Sequence, residues 1–451
     1  MKKRLRVIGG VAAGPASASR ARRIDPDLDI VIYEKGPFIS YGACNEPYYI
    51  AGWIDDYRKF IARTPDEFKT KMNIMVKTDH EVKKIDPKAG KLTIINNNDG
   101  TVFDDPYDKL IIATGTETIE ISVPGTDLPG VFRMKEMSHA IAMKEYIESQ
   151  KPKKVVTIGA GFIALEMAEA FKELGMENVV IHKGETPVGR LDDDISQIII
   201  DEMRNQNIEF LTSVDLLGIK SSENRLIVQT SKGDIKADMV LIAIGVRPNV
   251  SIAEEAGIEI GKTGAIHVNE RQETNITDIF AAGDCCEVIN RVGNHYVNIP
   301  LGDISNRQGW VAGENAAGGD STYPGVLGSA HFKFCNLEIG FTGLSAREAD
   351  NLNIKTRSYI TKAPSKAEAM PGASPITIKL LINEDTSELL GAQMAGNNGV
   401  AHRINTLATA LYNKMTIDEI ANIDFAYAPP FSPVIDPILR TARGAVKDLS
   451  K

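Results

Sequence analysis

The stretch from Leu5 to Glu34 leaves a chain few ways to fold. Leu5-Arg6-Val7-Ile8 reads as a short buried strand, and Gly9-Gly10-Val11-Ala12-Ala13-Gly14 follows it. A small-residue helix then runs through Arg23, and a second strand, Asp29-Ile30-Val31-Ile32-Tyr33, ends at Glu34 with Lys35 beside it. Strand, glycine turn, helix and strand in this order predict a βαβ unit whose turn wraps a phosphate. Gly9 and Gly14 hold the first and last glycine places, while Val11 takes the middle one. Glu34 lies twenty residues beyond Gly14, where such a unit binds the ribose hydroxyls of an adenosine. A glycine turn that is merely structural has no use for the other three elements.

A second unit of the same kind begins at Lys154. Lys154-Val155-Val156-Thr157-Ile158 is a strand, and Gly159-Ala160-Gly161-Phe162-Ile163-Ala164-Leu165-Glu166 opens a helix. Ala164 fills the third glycine place, which only has to be small for close helix–strand packing. The next strand, Asn178-Val179-Val180-Ile181, ends at His182-Lys183, where NAD-binding folds carry an acid. Basic residues there suit a 2′-phosphate, so NADPH is expected over NADH, with Arg190 assisting. The bland alternative is a strand-end histidine beside a solvated lysine.

Length and composition bound the rest. A chain of 451 residues is expected to hold about three domains. A net charge of -9 argues against a nucleic-acid binder. No apolar run approaches the length of a membrane span, so no membrane partner is expected. The basic start breaks at once into glycines, unlike a signal peptide. Four cysteines (Cys44, Cys285, Cys286, Cys335) in so long a chain point to a reducing cytoplasm. None lies in a C-x-x-C or C-x-x-x-x-C pair, so neither a metal site nor a local dithiol is expected.

One cysteine sits in a setting suited to chemistry. Ser40-Tyr41-Gly42-Ala43-Cys44-Asn45-Glu46-Pro47-Tyr48-Tyr49 places small residues before Cys44, so a flat cofactor could approach its sulfur. Residues 48–50 could open a helix, with Pro47 tolerated in its first turn. A cysteine at a helix N-terminus has a lowered pKa. The alternative is a buried structural thiol.

Two further segments complete a pattern. Tyr107-Asp108-Lys109-Leu110-Ile111-Ile112-Ala113-Thr114-Gly115 is a strand ending in a tight turn, and Thr277-Asp278-Ile279-Phe280-Ala281-Ala282-Gly283-Asp284 ends in a carboxylate. In this order they resemble the pyridine nucleotide-disulfide oxidoreductase family, the two-dinucleotide-binding flavoproteins. The resemblance implies an α/β fold with two Rossmann-like dinucleotide-binding domains, one inserted in the other, and a C-terminal α+β dimerisation domain. The expected boundaries are 1–117 with 246–325 for the FAD-binding domain, 118–245 for the NAD(P)-binding domain and 326–451 for dimerisation. It further implies that Gly9, Gly14, Glu34, Lys35, Thr114, Gly115 and Asp284 hold FAD. Gly159, Gly161, Ala164, Glu166, His182, Lys183, Arg190 and the hinge glycine Gly245 would hold NAD(P)H.

The Cys44 stretch resembles the single-cysteine branch, whose pattern is Ser-Phe-x-x-Cys-x-x-Pro-Tyr, with Tyr41 here for Phe. Oxidases and peroxidases of that branch carry a histidine in the first glycine loop, where this chain has Ala12 and Ala13. That difference favours a reductase of coenzyme A disulfide, a persulfide or a polysulfide over an NADH oxidase or peroxidase. A redox-sensing flavoprotein is the alternative from another class. By the same resemblance Arg20, Arg23, Ser40 and Lys71 line a coenzyme A channel, so bound coenzyme A is a candidate ligand. The resemblance also implies that the tail Phe425-Ala426-Tyr427-Ala428-Pro429-Pro430 reaches the partner's site in a homodimer, where Tyr427 would give the leaving thiolate a proton or a hydrogen bond. Two departures bear on substrate: Asn45-Glu46 after the cysteine, and Ala369-Met370-Pro371-Gly372 where relatives have Tyr-Tyr-Pro-Gly.

Overall fold

A computed structural model describes residues 2–223 and 225–449. Three five-stranded sheets carry the architecture. The first is parallel, in the spatial order Ile279–Ala281, Lys109–Ile112, Arg4–Ile8, Asp29–Tyr33 and Met75–Lys77. Its central strands are runs of Leu, Ile and Val buried on both faces, as a parallel sheet requires. The helix Ala13–Ile24 follows the first strand and packs on Gly302–Ala316. Gly309 and Gly313 make that approach possible: a Cβ on either would lie 2.5 Å from the Ala13 carbonyl oxygen and 2.1 Å from that of Ser17, respectively.

The second sheet repeats the design with Glu209–Leu211, Glu177–Ile181, Lys154–Ile158, Met239–Ile242 and Val131–Arg133, all parallel. Because Ile279–Ala281 returns to the first sheet, this unit is inserted within the first. The chain crosses between them on two strands, Thr116–Thr118 and Val246–Pro248, which pair antiparallel.

The third sheet is antiparallel, in the order Ala330–Phe334, Leu337–Gly343, Leu389–Gly396, Pro375–Asn383 and Thr356–Pro364. The helix Val400–Tyr412 covers one face through Val400, Ile404, Leu407 and Leu411, and Pro437–Leu449 adds Ile438 and Ala442 to the same core. Charged pairs fasten this domain to the inserted one. The Lys379 ammonium lies 3.0 Å from Asp192 and 2.8 Å from Asp194, and Lys333 pairs with Glu169. Among the described residues no helix is long and apolar enough to cross a membrane.

The proline-rich tail is irregular but tied down. Arg403 is buried on the helix Val400–Tyr412 and donates to Asp436 at 2.9 Å. It also donates to the Ser365 carbonyl at 3.0 Å, while Ser432 donates its hydroxyl to Asp436 at 3.0 Å. Removing one member of a buried pair leaves the other charge without compensation. Arg403→Met is expected to destabilise the chain by about 3–5 kcal/mol, read as a lower denaturant midpoint. A midpoint equal to wild type would show that the pair contributes nothing.

Candidate active site

One cavity of about 1820 Å³ runs between the three domains and is lined by both glycine turns and by the Cys44 segment. The first turn is closed by contact with the next strand. Gly9 has φ +101°, and a Cβ there would sit 2.0 Å from the Ala113 carbonyl oxygen; a Cβ on Gly14 would sit 1.9 Å from that of Gly9. Glu34 is buried and accepts from the Gly10 N–H at 2.7 Å and the Gly36 N–H at 2.9 Å. Burial pushes its carboxyl up, and those two donors pull it back. Lys35 lies 3.2 Å from Glu136. Thr114 donates its hydroxyl to the Asn249 carbonyl at 2.6 Å, and Gly115 follows at φ +66°. Asp284 accepts from the Ser305 hydroxyl at 2.6 Å and has Lys135 at 3.9 Å. All of these except Gly14 are cavity-wall residues. A turn closed this tightly, with an acid at its far strand, fits FAD.

The second turn has the same build. Gly159 has φ +112° and packs on Ala243, whose carbonyl oxygen would lie 2.2 Å from an added Cβ, while Gly161 faces open space. Ala164 is fully buried, as close helix packing demands. Glu166 lines the cavity, and burial, then the neighbouring Glu169, pushes it up to about 7. His182, Lys183 and Gly245 line the same end. Burial draws the His182 imidazole below its ordinary value, so it is neutral at neutral pH. The Lys183 side chain is 87% exposed and lies 3.6 Å from Asp215. Open Gly161 and this basic end fit a nicotinamide dinucleotide.

Several expected residues stand elsewhere. Arg190 is not in the cavity wall: its guanidinium donates to Glu348 at 3.1 Å and to the Gly328 carbonyl at 3.2 Å, and stacks over Phe341. It joins domains instead of meeting nucleotide. Of the four channel residues, Arg23 and Ser40 line the cavity. Arg20 is ion-paired with Glu314, and Lys71 reaches Glu67 at 2.6 Å one helical turn away, both outside the wall. Tyr427 is 49% exposed and lies outside its own chain's cavity, beside exposed Phe431, Val434 and Ile435.

Cys44 opens into the cavity from a single 3₁₀ turn, Ala43–Asn45, ahead of the helix Glu46–Ile50. The expectation of a lowered pKa is overturned. Desolvation by the cavity wall comes first, and the carboxyls of Glu166, Glu46 and Asp284 add to it, so the thiol is pushed up. A five-residue helix beginning with a glutamate offers little positive end to oppose them. Sequence reading missed the contributions of Lys135 and Glu136, from the linker after Val131–Arg133, and of His331 and Lys333 from the third domain. Only the fold brings them to the wall. It named Glu46 as an oddity, and the polar pair Asn45-Glu46 was the signal that a buried acid stands there.

Comparison with known proteins agrees with this geometry. The chain is 38% identical over 445 residues to an "NADH oxidase" of Methanocaldococcus jannaschii, covering 98% of this chain and 99% of that one. It is 36% identical over 442 residues to an "NAD(P)H sulfur oxidoreductase (CoA-dependent)" of Pyrococcus furiosus, covering 98% and 99%. A solved "NAD-Dependent Persulfide Reductase from A. fulgidus" superposes with a TM-score of 0.96 at 35% identity, covering 99% of this chain and 83% of that one. The model of the pyridine nucleotide-disulphide oxidoreductases matches residues 3–301 and that of their dimerisation domain residues 329–437. With both nucleotide turns, the inserted domain and the C-terminal sheet in place, the chain belongs to the pyridine nucleotide-disulphide oxidoreductase family.

Proposed function

We propose that the protein is an FAD-dependent NAD(P)H oxidoreductase that reduces a disulfide, persulfide or polysulfide through Cys44, acting as a homodimer in the cytoplasm. One observation carries the reading: Cys44 opens into the cavity that holds both nucleotide turns, while Cys285 and Cys286 are buried in the flavin domain and Cys335 lies outside the wall. Coenzyme A disulfide or a related low-molecular-weight sulfur compound is the proposed substrate. The sulfur and persulfide reductases among its relatives support this choice.

When bound, FAD supplies the relay of two electrons from the nicotinamide to sulfur. The chain supplies the rest. The first turn and Glu34 hold the flavin nucleotide, and Asp284, steadied by Ser305, is the flavin-domain carboxylate at the cavity wall. Cys44 as thiolate attacks the substrate's nearer sulfur: a Cys44 Sγ–S bond forms, the substrate S–S bond breaks, and a thiolate leaves. Tyr427 of the partner subunit gives that thiolate a hydrogen bond. Two-electron reduction of the mixed disulfide releases the second thiol and restores Cys44. An NADH oxidase is the second reading, favoured by the archaeal relative of that name. The first glycine turn has Ala12 and Ala13 and so offers no imidazole to an oxygen-derived group. Oxygen uptake in the absence of a sulfur acceptor decides between the two.

Cys44→Ser is expected to lower thiol release from coenzyme A disulfide at least ~10³-fold, with flavin content and reduction by nicotinamide unchanged. Release near the wild-type rate would mean that the cysteine takes no part in the reaction. Lys183→Ala is expected to lower kcat/KM for NADPH about tenfold while sparing NADH, because a charge-assisted phosphate contact is lost. An unaltered ratio of the two would remove Lys183 from the 2′-phosphate site. Cys44→Ser and Tyr427→Phe chains, each slow alone, are expected to regain about a quarter of wild-type turnover when mixed, since half the dimers are hybrids with one intact site. Mixtures no faster than their parents would place Tyr427 outside the partner's reaction.

A further inference from the structure

Glu46 has no role in the scheme above, yet its surroundings are unusual for a carboxyl. It is 2% exposed, and its Oε1 is fully buried with no hydrogen-bond partner. It lines the catalytic cavity two residues from Cys44, and its charge bears on that thiol. Buried polar atoms without partners are rare and costly, and cluster where a site needs them. The groups that face it are Lys135 and Glu136 from the linker, Tyr41 from the preceding turn, and Cys44. Burial drives its carboxyl up to about 8, with Lys135 opposing and Glu136 adding. Burial thus favours the protonated form of Glu46.

We propose that Glu46 holds the proton that the leaving thiolate takes up when Cys44 opens the substrate's S–S bond; this rests on the reading of Cys44 as the attacking thiolate. The charge balance explains the timing. While Cys44 is a thiolate, its negative charge keeps the proton on Glu46. Attack turns Cys44 into one half of a neutral mixed disulfide, so that restraint disappears as the departing sulfur becomes negative. The proton passes from the Glu46 carboxyl to that sulfur, and the pair keeps one negative charge throughout. Reduction of the mixed disulfide returns Cys44 as thiolate, and Glu46 regains a proton from water.

A donor of this kind matters only to leaving groups that need a proton. An alkyl thiolate such as that of coenzyme A is a poor leaving group, whereas 5-thio-2-nitrobenzoate departs readily without protonation. The test is made on the flavin-loaded enzyme with Glu46→Gln. Turnover with coenzyme A disulfide is expected to fall about 10²-fold, the usual worth of a general acid. Turnover with 5,5′-dithiobis(2-nitrobenzoate) is expected to stay within about twofold, since acid catalysis adds little there. The apparent pKa for iodoacetamide alkylation of Cys44 is expected to fall, because in the wild type the Glu46–Cys44 pair shares its first ionisation and opposes its second, and the variant does neither. Equal losses with both disulfides, or none with either, would overturn the proposal. So would an alkylation profile identical to wild type. If Glu46→Gln does not retain flavin, Glu46→Leu removes the buried polar atoms and carries the same comparison. A wild type that reduces neither disulfide would refute the sulfur-reductase reading, and the alkylation profile would still decide whether Glu46 is coupled to Cys44.

Discussion

The structure depends on backbone touching backbone at two glycines. Gly9 against Ala113 and Gly159 against Ala243 each leave no room for a Cβ. Each contact locks a strand end to its neighbour, so the helix that follows starts at a fixed place with its N–H groups facing the cavity. Phosphate binding by those N–H groups and the partial positive charge of the helix end comes from that placement. The same turn fixes the Cys44 segment, because the Ser40 N–H donates to the Gly10 carbonyl at 2.7 Å. The nucleotide site and the sulfur site are thus positioned by one peptide run.

The groups that bear on Cys44 are mainly carboxyls. Glu46, Glu166 and Asp284 raise the cost of the thiolate, and Lys135 is the cation near them. A thiol held high is a strong nucleophile once ionised, since nucleophilicity falls as pKa falls.

The parts legible in the sequence were those written in local spacing. The two strand–turn–helix units need only a few dozen consecutive residues, and each folds as its glycines and strand ends dictate. The insertion was legible from the order of the segments ending at Gly115, Gly245 and Asp284. Long side chains were another matter. Arg190 follows the basic strand end by only a few residues, but Glu348 and the Gly328 carbonyl, more than a hundred residues on, claim its guanidinium. Arg20 and Lys71 are likewise captured by carboxylates within reach. A cation's destination depends on which acid the fold brings near, and spacing along the chain does not carry that. The rise of the Cys44 pKa has the same origin. The helix after it was visible in the sequence, but two of the three opposing carboxylates, Glu166 and Asp284, are distant in the chain.

The charged pairs between the second and third domains give the capture of Arg190 a purpose. Arg190–Glu348, Lys379 with Asp192 and Asp194, and Lys333–Glu169 all join the nicotinamide half to the C-terminal domain. Lys379 is itself largely buried, so its pairing is weakly screened. Burial costs such a pair much of its Coulomb energy, so its value lies in fixing register between two surfaces more than in stability. His331 and Lys333, on the first strand of the third domain's sheet, reach the wall of the cavity beside these pairs. The buried pair Arg403–Asp436 then fixes the tail's path from Phe431 to Asp436, so the exposed phenol of Tyr427 projects from an anchored loop and not from a free end.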